Sequence, residues 1–148
     1  MATEKGLIRA REEEDKVDFK ILKSEKGRAD RVLSDYISCL ATDPNDDQVL
    51  WIGTQGVGLS RLDVRSMKFE HFTTQNGFPN DAVYSILNDE KGRFWMGTNS
   101  GLVRFNQKTK EIKTYTVEYG LPSNEFNMRS WGKALDGTLF FGNFNILK

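Results

Sequence analysis

The side chains that could do chemistry are few, and their spacing does not serve it. His71 is the single histidine, which removes every site built on two imidazoles. Its setting, Lys68-Phe69-Glu70-His71-Phe72-Thr73, reads as a surface strand residue. Cys39 is likewise single, forms no internal disulfide, and stands in the apolar stretch Tyr36–Ala41 as a small buried hydrophobe. Asp43-Pro44-Asn45-Asp46-Asp47 invites a calcium reading. A calcium loop of that class wants glycine at its sixth position and glutamate at its twelfth, where Gln48 and Thr54 stand. The segment reads instead as a hairpin loop. Gly53, Gly56 and Gly58 open no helix and follow no βαβ unit, so they make no phosphate cradle. Among 21 acidic residues no pair is singled out for glycoside hydrolysis, and no nucleophile elbow is present. The reading is no catalytic residue, no metal ligand and no cofactor.

Composition narrows the partners. Lys and Arg number 21 and Asp and Glu number 21, for a formal charge of zero. Nucleic-acid binding calls for a basic excess or stripe, and neither is there. No apolar run approaches the ~20 residues of a membrane span, and no signal peptide opens the chain. With 38% hydrophobic residues, 148 residues suffice for a core.

The positioning elements announce themselves by repetition. "LWIGTQGVGLSRL" (50–62) recurs as "FWMGTNSGLVRF" (94–105). Trp51 aligns with Trp95, Gly53-Thr54 with Gly97-Thr98, Gly58-Leu59 with Gly101-Leu102, Arg61 with Arg104, and Phe69 and Phe72 with Ile112 and Tyr115. Gly77-Phe78-Pro79-Asn80-Asp81 aligns with Gly120-Leu121-Pro122-Ser123-Asn124, giving a unit of 43 to 45 residues. Partial copies stand at both ends. Gly6-Leu7-Ile8-Arg9 copies Gly101–Arg104, followed by Phe19 and Ile21 for Ile112 and Tyr115; Gly137–Gly142 copies Gly92–Gly97, placing Phe140 under the tryptophans and Gly142 under Gly53 and Gly97.

Each unit reads as four short strands joined by Gly- or Asn-rich turns, with "AVYSIL" (82–87) as an alternating first strand. A four-stranded meander of this length is the blade of a β-propeller. The expected fold is all-β, a propeller fragment of about three blades. It divides into a half-blade at 1–32, blades at 33–77 and 78–120, and a half-blade at 121–148. Trp51, Trp95 and Phe140 are expected to pack between blades, and Gly53, Gly97 and Gly142 to lie where a side chain would strike the neighbouring blade.

These motifs resemble the two-component regulator propeller family. The resemblance rests on Phe78-Pro79-Asn80, Asp89 to Gly92, Trp95-Met96-Gly97-Thr98, Gly101-Leu102, Arg104 and Tyr115. "LPSNEFN" followed by "DGTLFFGNFN" is similar to the terminal repeat of long arrays in hybrid sensor kinases; Ile146 departs from the glycine expected there. The resemblance implies the extracytoplasmic, periplasmic sensor region of an inner-membrane hybrid two-component kinase of the Bacteroidetes type, responding to polysaccharide breakdown products.

Blade topology narrows where a ligand would sit. The loops that enter first strands and those that join second to third strands share one face. On that face fall Gln55, Asn80, Asp81, Asn99 and Asn124, neutral or acidic groups suited to sugar hydroxyls. Arg129 and Trp131 lie near the first strand of the last repeat and complete the candidate ligand set. An oligosaccharide is the expected ligand, with no contact to membrane or nucleic acid. Three blades fall short of the four or more that close a ring, so a homodimer closing the propeller is a second expected partnership. The rival functions are a propeller scaffold for protein interaction or sensor dimerisation, and a propeller lyase or glycosidase.

Overall fold

Alternating apolar residues separated by turn formers leave the backbone few ways to satisfy its hydrogen bonds other than antiparallel pairing. The computed structural model describes residues 5–143, so Ile146 and the ends of the two half-blades lie outside the described residues. Within them are twelve strands. β1 (Leu7–Glu13) and β2 (Lys16–Leu22) form a hairpin. β3 (Ile37–Asp43), β4 (Asp46–Thr54), β5 (Leu59–Asp63) and β6 (Lys68–Phe72) form a four-stranded meander in chain order. β7 (Leu87–Asn88), β8 (Phe94–Thr98), β9 (Gly101–Phe105) and β10 (Ile112–Tyr115) form a second. β11 (Phe126–Lys133) and β12 (Leu139–Asn143) make a closing hairpin. The architecture is a β-propeller fragment of two whole blades and two half-blades.

One connection recurs three times and fixes how each blade joins the next. Gly6, Gly58 and Gly101 donate their backbone N–H to the carbonyls of Asp35, Asp81 and Asn124, at 3.0, 2.7 and 2.7 Å. The side chains of the same three residues accept from the backbone of Ser24, Thr74 and Val117 at 2.7, 2.7 and 2.8 Å. The glycines adopt φ of +106°, +104° and +115°. A methyl on any of them would press on the carbonyl of Leu22, Phe72 or Tyr115 in the last strand of its own sheet. The Gly-Leu dipeptide of the repeat is therefore fixed by conformation and space together. This places β1 and β2 as the two outer strands of a blade, and β11 and β12 as the two inner ones.

Two details depart from the sequence expectation. Leu22, not Ile21, stands opposite Leu7 and so corresponds to Phe72 and Tyr115. The stretch 82–87 is not one continuous strand. Ala82 and Val83 make single bridges to Gln55 and Thr98, and regular pairing resumes only at Leu87. Between them the Ser85 hydroxyl accepts the Gly97 N–H at 2.9 Å, taking a place in the ladder that a carbonyl would hold.

The core lies between sheets. Trp51, fully buried, is boxed by Phe72 of its own sheet and by Phe94 and Phe105 of the next, at centroid distances of 5.6, 5.5 and 5.7 Å. Each such aromatic contributes about 1.5–3 kcal/mol through burial, and edge-on ring pairs add about 0.5–1.5 kcal/mol. A second cluster joins the first hairpin to the following sheet through Leu7, Val32, Ile37, Ile52 and Leu62. A Cβ on Gly53 would overlap Cys39 Sγ and come within 2.8 Å of the Val83 carbonyl; one on Gly97 would sit 2.8 Å from Ser85 Oγ and 3.0 Å from Phe126 Cβ. At both positions the adjoining blade occupies the space a side chain would need. Gly142 meets only Ser130 of its own hairpin. Trp95 is half-buried, and Phe140 is 59% exposed.

Candidate functional site: the loop face of the blades

The blade-to-blade connections and the loops joining second to third strands meet at one end of the sheets. Asn80 Nδ2 reaches Ser100 Oγ across two of these loops at 3.1 Å, and the Gln55 N–H donates to the Tyr36 carbonyl at 3.3 Å. Turn chemistry builds each loop. Thr54 Oγ1 donates to the Gly58 carbonyl and accepts from the Val57 N–H; Thr98 Oγ1 does the same with Gly101 and Ser100. The Gly-Thr half of the motif is thus the device that closes these turns. Gly77 and Gly120, left-handed at φ of +97° and +94°, end the single 3-10 turns Thr74–Asn76 and Val117–Tyr119 that lead into the connections.

The candidate ligand residues divide by how fully the chain uses them. Asp81 is committed: Oδ1 accepts the Thr74 N–H and Oδ2 its hydroxyl, at 2.7 and 2.8 Å. Asn124 holds Val117 at 2.8 Å, and Asn80 Oδ1 accepts the Ala82 N–H at 2.8 Å. Gln55, Asn99 and Arg129 are exposed, and their side chains make no hydrogen bond among the described residues. Trp131 is half-buried against the cluster that holds Trp51 and Phe105. Arg129 stands at φ +61° in an irregularity of β11 between the pairs Phe126–Asn143 and Trp131–Phe141. Ser130 takes the place under Gly142 that Cys39 and Ser85 take under Gly53 and Gly97. The last repeat therefore carries two extra residues in its innermost strand, and that bulge re-aims Met128 and Arg129.

A feature of this face that sequence reading missed is the first connection. Asp35 follows Gly27 by eight positions, where Asp81 and Asn124 follow Gly77 and Gly120 by four. The extra residues, Arg28–Arg31, form a small loop. Arg28 binds Asp30 through Nε and Nη2 at 2.7 and 2.6 Å, and that hydrogen-bonded pairing holds the Asp30 carboxyl down at about 2. His71 anchors the loop: Nε2 meets the Ala29 carbonyl and Nδ1 the Ser60 hydroxyl, each at 2.8 Å. A carbonyl only accepts, so Nε2 carries a proton. The histidine is more than a surface strand residue: it fastens an insertion to the sheet. Beneath the insertion lies a hollow of about 710 Å³ edged by Lys26, Arg28, Val57, His71 and Gln75. The unequal spacing was the signal that could have revealed it.

Reactive groups are placed as structure. Cys39 is buried, and loss of hydration pushes its thiol up to about 12, which leaves no thiolate nucleophile at neutral pH. Asp89, at the opposite end of the sheet, takes five donated contacts from Lys91, Arg93 and Trp95. Partial burial pushes its carboxyl up, and the bonds from the Trp95 indole and Arg93 outweigh that, drawing it down to about 2. Asp43 similarly accepts Trp51 Nε1 at 2.8 Å and the Asn45 N–H at 2.8 Å.

Comparison with known proteins agrees with this arrangement. Histidine kinase P4 of Formosa agariphila is 39% identical over 67 residues, which is 45% of this chain and 5% of that protein. Among solved structures, the extracellular domain of the hybrid two component system BT4673 from B. thetaiotaomicron superposes with a TM-score of 0.74 at 18% identity, over 96% of this chain and 20% of that one. The corresponding domain of BT3049 gives 0.71 at 19% identity, over 84% and 17%. At that identity the likeness speaks for the fold, and the chain spans a small part of each relative. Residues 77–100, which run from the Gly-Phe-Pro-Asn connection through the Trp95 strand, match the two component regulator propeller family.

Proposed function

We propose that this chain is a non-catalytic, ligand-sensing segment of the extracytoplasmic propeller of a hybrid two-component sensor, and that its ligand is a polysaccharide breakdown product. The observation that carries the reading is the loop face. Gln55 and Asn99 stand in the loops of that face and Arg129 in the bulge of β11, each exposed with unused hydrogen-bonding groups, while Asp81 and Asn124 hold the loops in place. Amides and a guanidinium on a rigid frame match ring hydroxyls without offering an acid–base pair. The relatives whose names speak of histidine kinases and two component systems support the signalling context.

Isothermal titration of the chain with a panel of oligosaccharides from depolymerised polysaccharides tests the reading. Saturable binding that falls at least tenfold when Gln55, Asn99 and Arg129 are all changed to alanine supports it. Binding that survives the triple change, or heat from none of the sugars, refutes the placement.

A further inference from the structure

The first connection carries four residues that the blade architecture does not use. Asp81 and Asn124 reach their places four positions after Gly77 and Gly120, and Gly27-Val32-Leu33-Ser34-Asp35 would complete the same spacing without Arg28–Arg31. Ordering four extra residues costs conformational entropy, yet the insertion is held firmly. Arg28 binds Asp30 through Nε and Nη2, and His71 Nε2 donates to the Ala29 carbonyl at 2.8 Å. The His71 ring is itself fixed, by Ser60 at 2.8 Å and by stacking on Phe69 at 5.8 Å. Binding groups commonly stand on such loops, held by a rigid scaffold.

The hollow of about 710 Å³ beneath the insertion falls within the ~300–1,000 Å³ of small-ligand sites. Its lining runs from Ser24 to Gln75, so the connection and the β3–β6 sheet build it between them. One wall is apolar: Val32 is buried, Leu33 is half-buried, and Val57 is 42% exposed. The rim is cationic. Lys26 is exposed and makes no ion pair or hydrogen bond among the described residues. Arg28 gives Nε and Nη2 to Asp30, which leaves Nη1 without an acceptor among them. The exposed Gln75 amide is likewise unbonded. Glu25 supplies the carboxylate of the lining, and it faces Arg31 at 4.0 Å. With Arg28 set against Asp30 and Glu25 against Arg31, the charge of Lys26 is left without a counter-charge.

We infer that this hollow is an acidic subsite of the loop face, taking a sugar ring that bears one carboxylate or one sulfate ester. The inference rests on the saccharide reading of that face. Val57 edges the hollow, and Gln55 stands two residues away on the same loop between β4 and β5, so a single oligosaccharide can serve both. Lys26 and Arg28 Nη1 meet the anionic oxygens in charge-assisted hydrogen bonds. The Gln75 amide meets a ring hydroxyl, and the C–H face of the ring lies against Val57 and Leu33. The connections at Gly77–Asp81 and Gly120–Asn124 contain no lysine or arginine. Selection for charge therefore belongs to the first connection.

Titration calorimetry of the chain with matched pairs of oligosaccharides tests this. One pair sets a galacturonate-terminated oligomer against its carboxyl-reduced counterpart, and the other a singly sulfated galactose oligomer against the unsulfated one. At least one acidic member is expected to bind about tenfold more tightly than its neutral partner, and which pair shows the gap identifies the anionic group. Lys26→Glu should abolish the gap. Lys108→Glu, the same charge change in the turn between β9 and β10 at the other end of the sheet, should not. Deleting Arg28–Arg31, which restores the spacing of the other connections, should also abolish it with the strand signal in circular dichroism unchanged. Equal affinity within both pairs, or a gap that survives Lys26→Glu, overturns the acidic subsite and leaves the loop-face reading standing. Heat from none of the sugars overturns both.

Discussion

The Trp95 indole donates to Asp89 Oδ2 at 3.0 Å across the hairpin that joins β7 to β8, and Trp51 does the same to Asp43 at 2.8 Å. The aspartate of the repeat is thus structural, tying the turn to the ring that the blade buries. Asp89 is held at about 2, below the ~3.9 of an unfolded aspartate. A depressed carboxylate stabilises the fold above its unfolded value, and that contribution is lost as pH falls from about 4 toward 2. Solvent at the open side of the carboxylate screens part of this, so Asp89→Asn is expected to cost about 1–2 kcal/mol in urea melts at pH 7. Near pH 2 mutant and parent should converge; a constant difference across pH would contradict the assignment.

The glycines of the repeat separate into two classes with different sensitivity. Gly101 combines φ of +115° with a last-strand carbonyl in the space of its missing side chain. Gly77 has φ of +97° and open space around it. Alanine at Gly77 should cost about 1 kcal/mol, from backbone strain alone. Alanine at Gly101 must also move β10, so its cost should be at least twice that. Thermal melts of the two variants side by side decide the order. Comparable losses would mean that the close approach at Gly101 relaxes without penalty.

Much of the blade pattern was legible because a period-two pattern broken by Gly, Asn and Asp turns allows little else, and because it recurs. Strand equivalence could be read to within a residue: Leu22 rather than Ile21 completes the first hairpin, since turn lengths decide register and single residues do not. The interruption at Ser85 was not legible, because it depends on a hydroxyl meeting a neighbouring strand's N–H. The loop-face residues were found by topology, yet topology could not say that Asp81 spends its carboxylate on Thr74 while Asn99 stays unbonded. Hydrogen-bond partners seven residues apart leave no trace in a single sequence.

That division makes a prediction about stability as distinct from binding. Asp81→Ala removes two hydrogen bonds that hold the turn at Thr74, and a loss of about 1–2 kcal/mol is expected. Gln55→Ala and Asn99→Ala alter exposed side chains with no partner among the described residues and should stay within about 0.5 kcal/mol. Urea denaturation of the three variants measures this. An unstable Asn99→Ala would show that its side chain supports the loop after all.

Cys39 offers a probe of how the second and third sheets hold together. Its sulfur lies beside the Val83 carbonyl of the adjoining blade at 3.6 Å, and its hydroxyl neighbour Ser38 donates to the same carbonyl. Burial pushes the thiol up to about 12, so neither access nor thiolate favours attack at pH 8. A thiol reagent should therefore react at the rate at which the two sheets part, and urea should accelerate it steeply. Gly53→Ala presses a methyl between Cys39 and Val83 and should raise the labelling rate in buffer well above that of the parent. Rapid labelling of the unmutated chain at pH 8 would mean that the two blades separate freely, and the packed interface described between Trp51 and Phe94 would not describe the protein in solution.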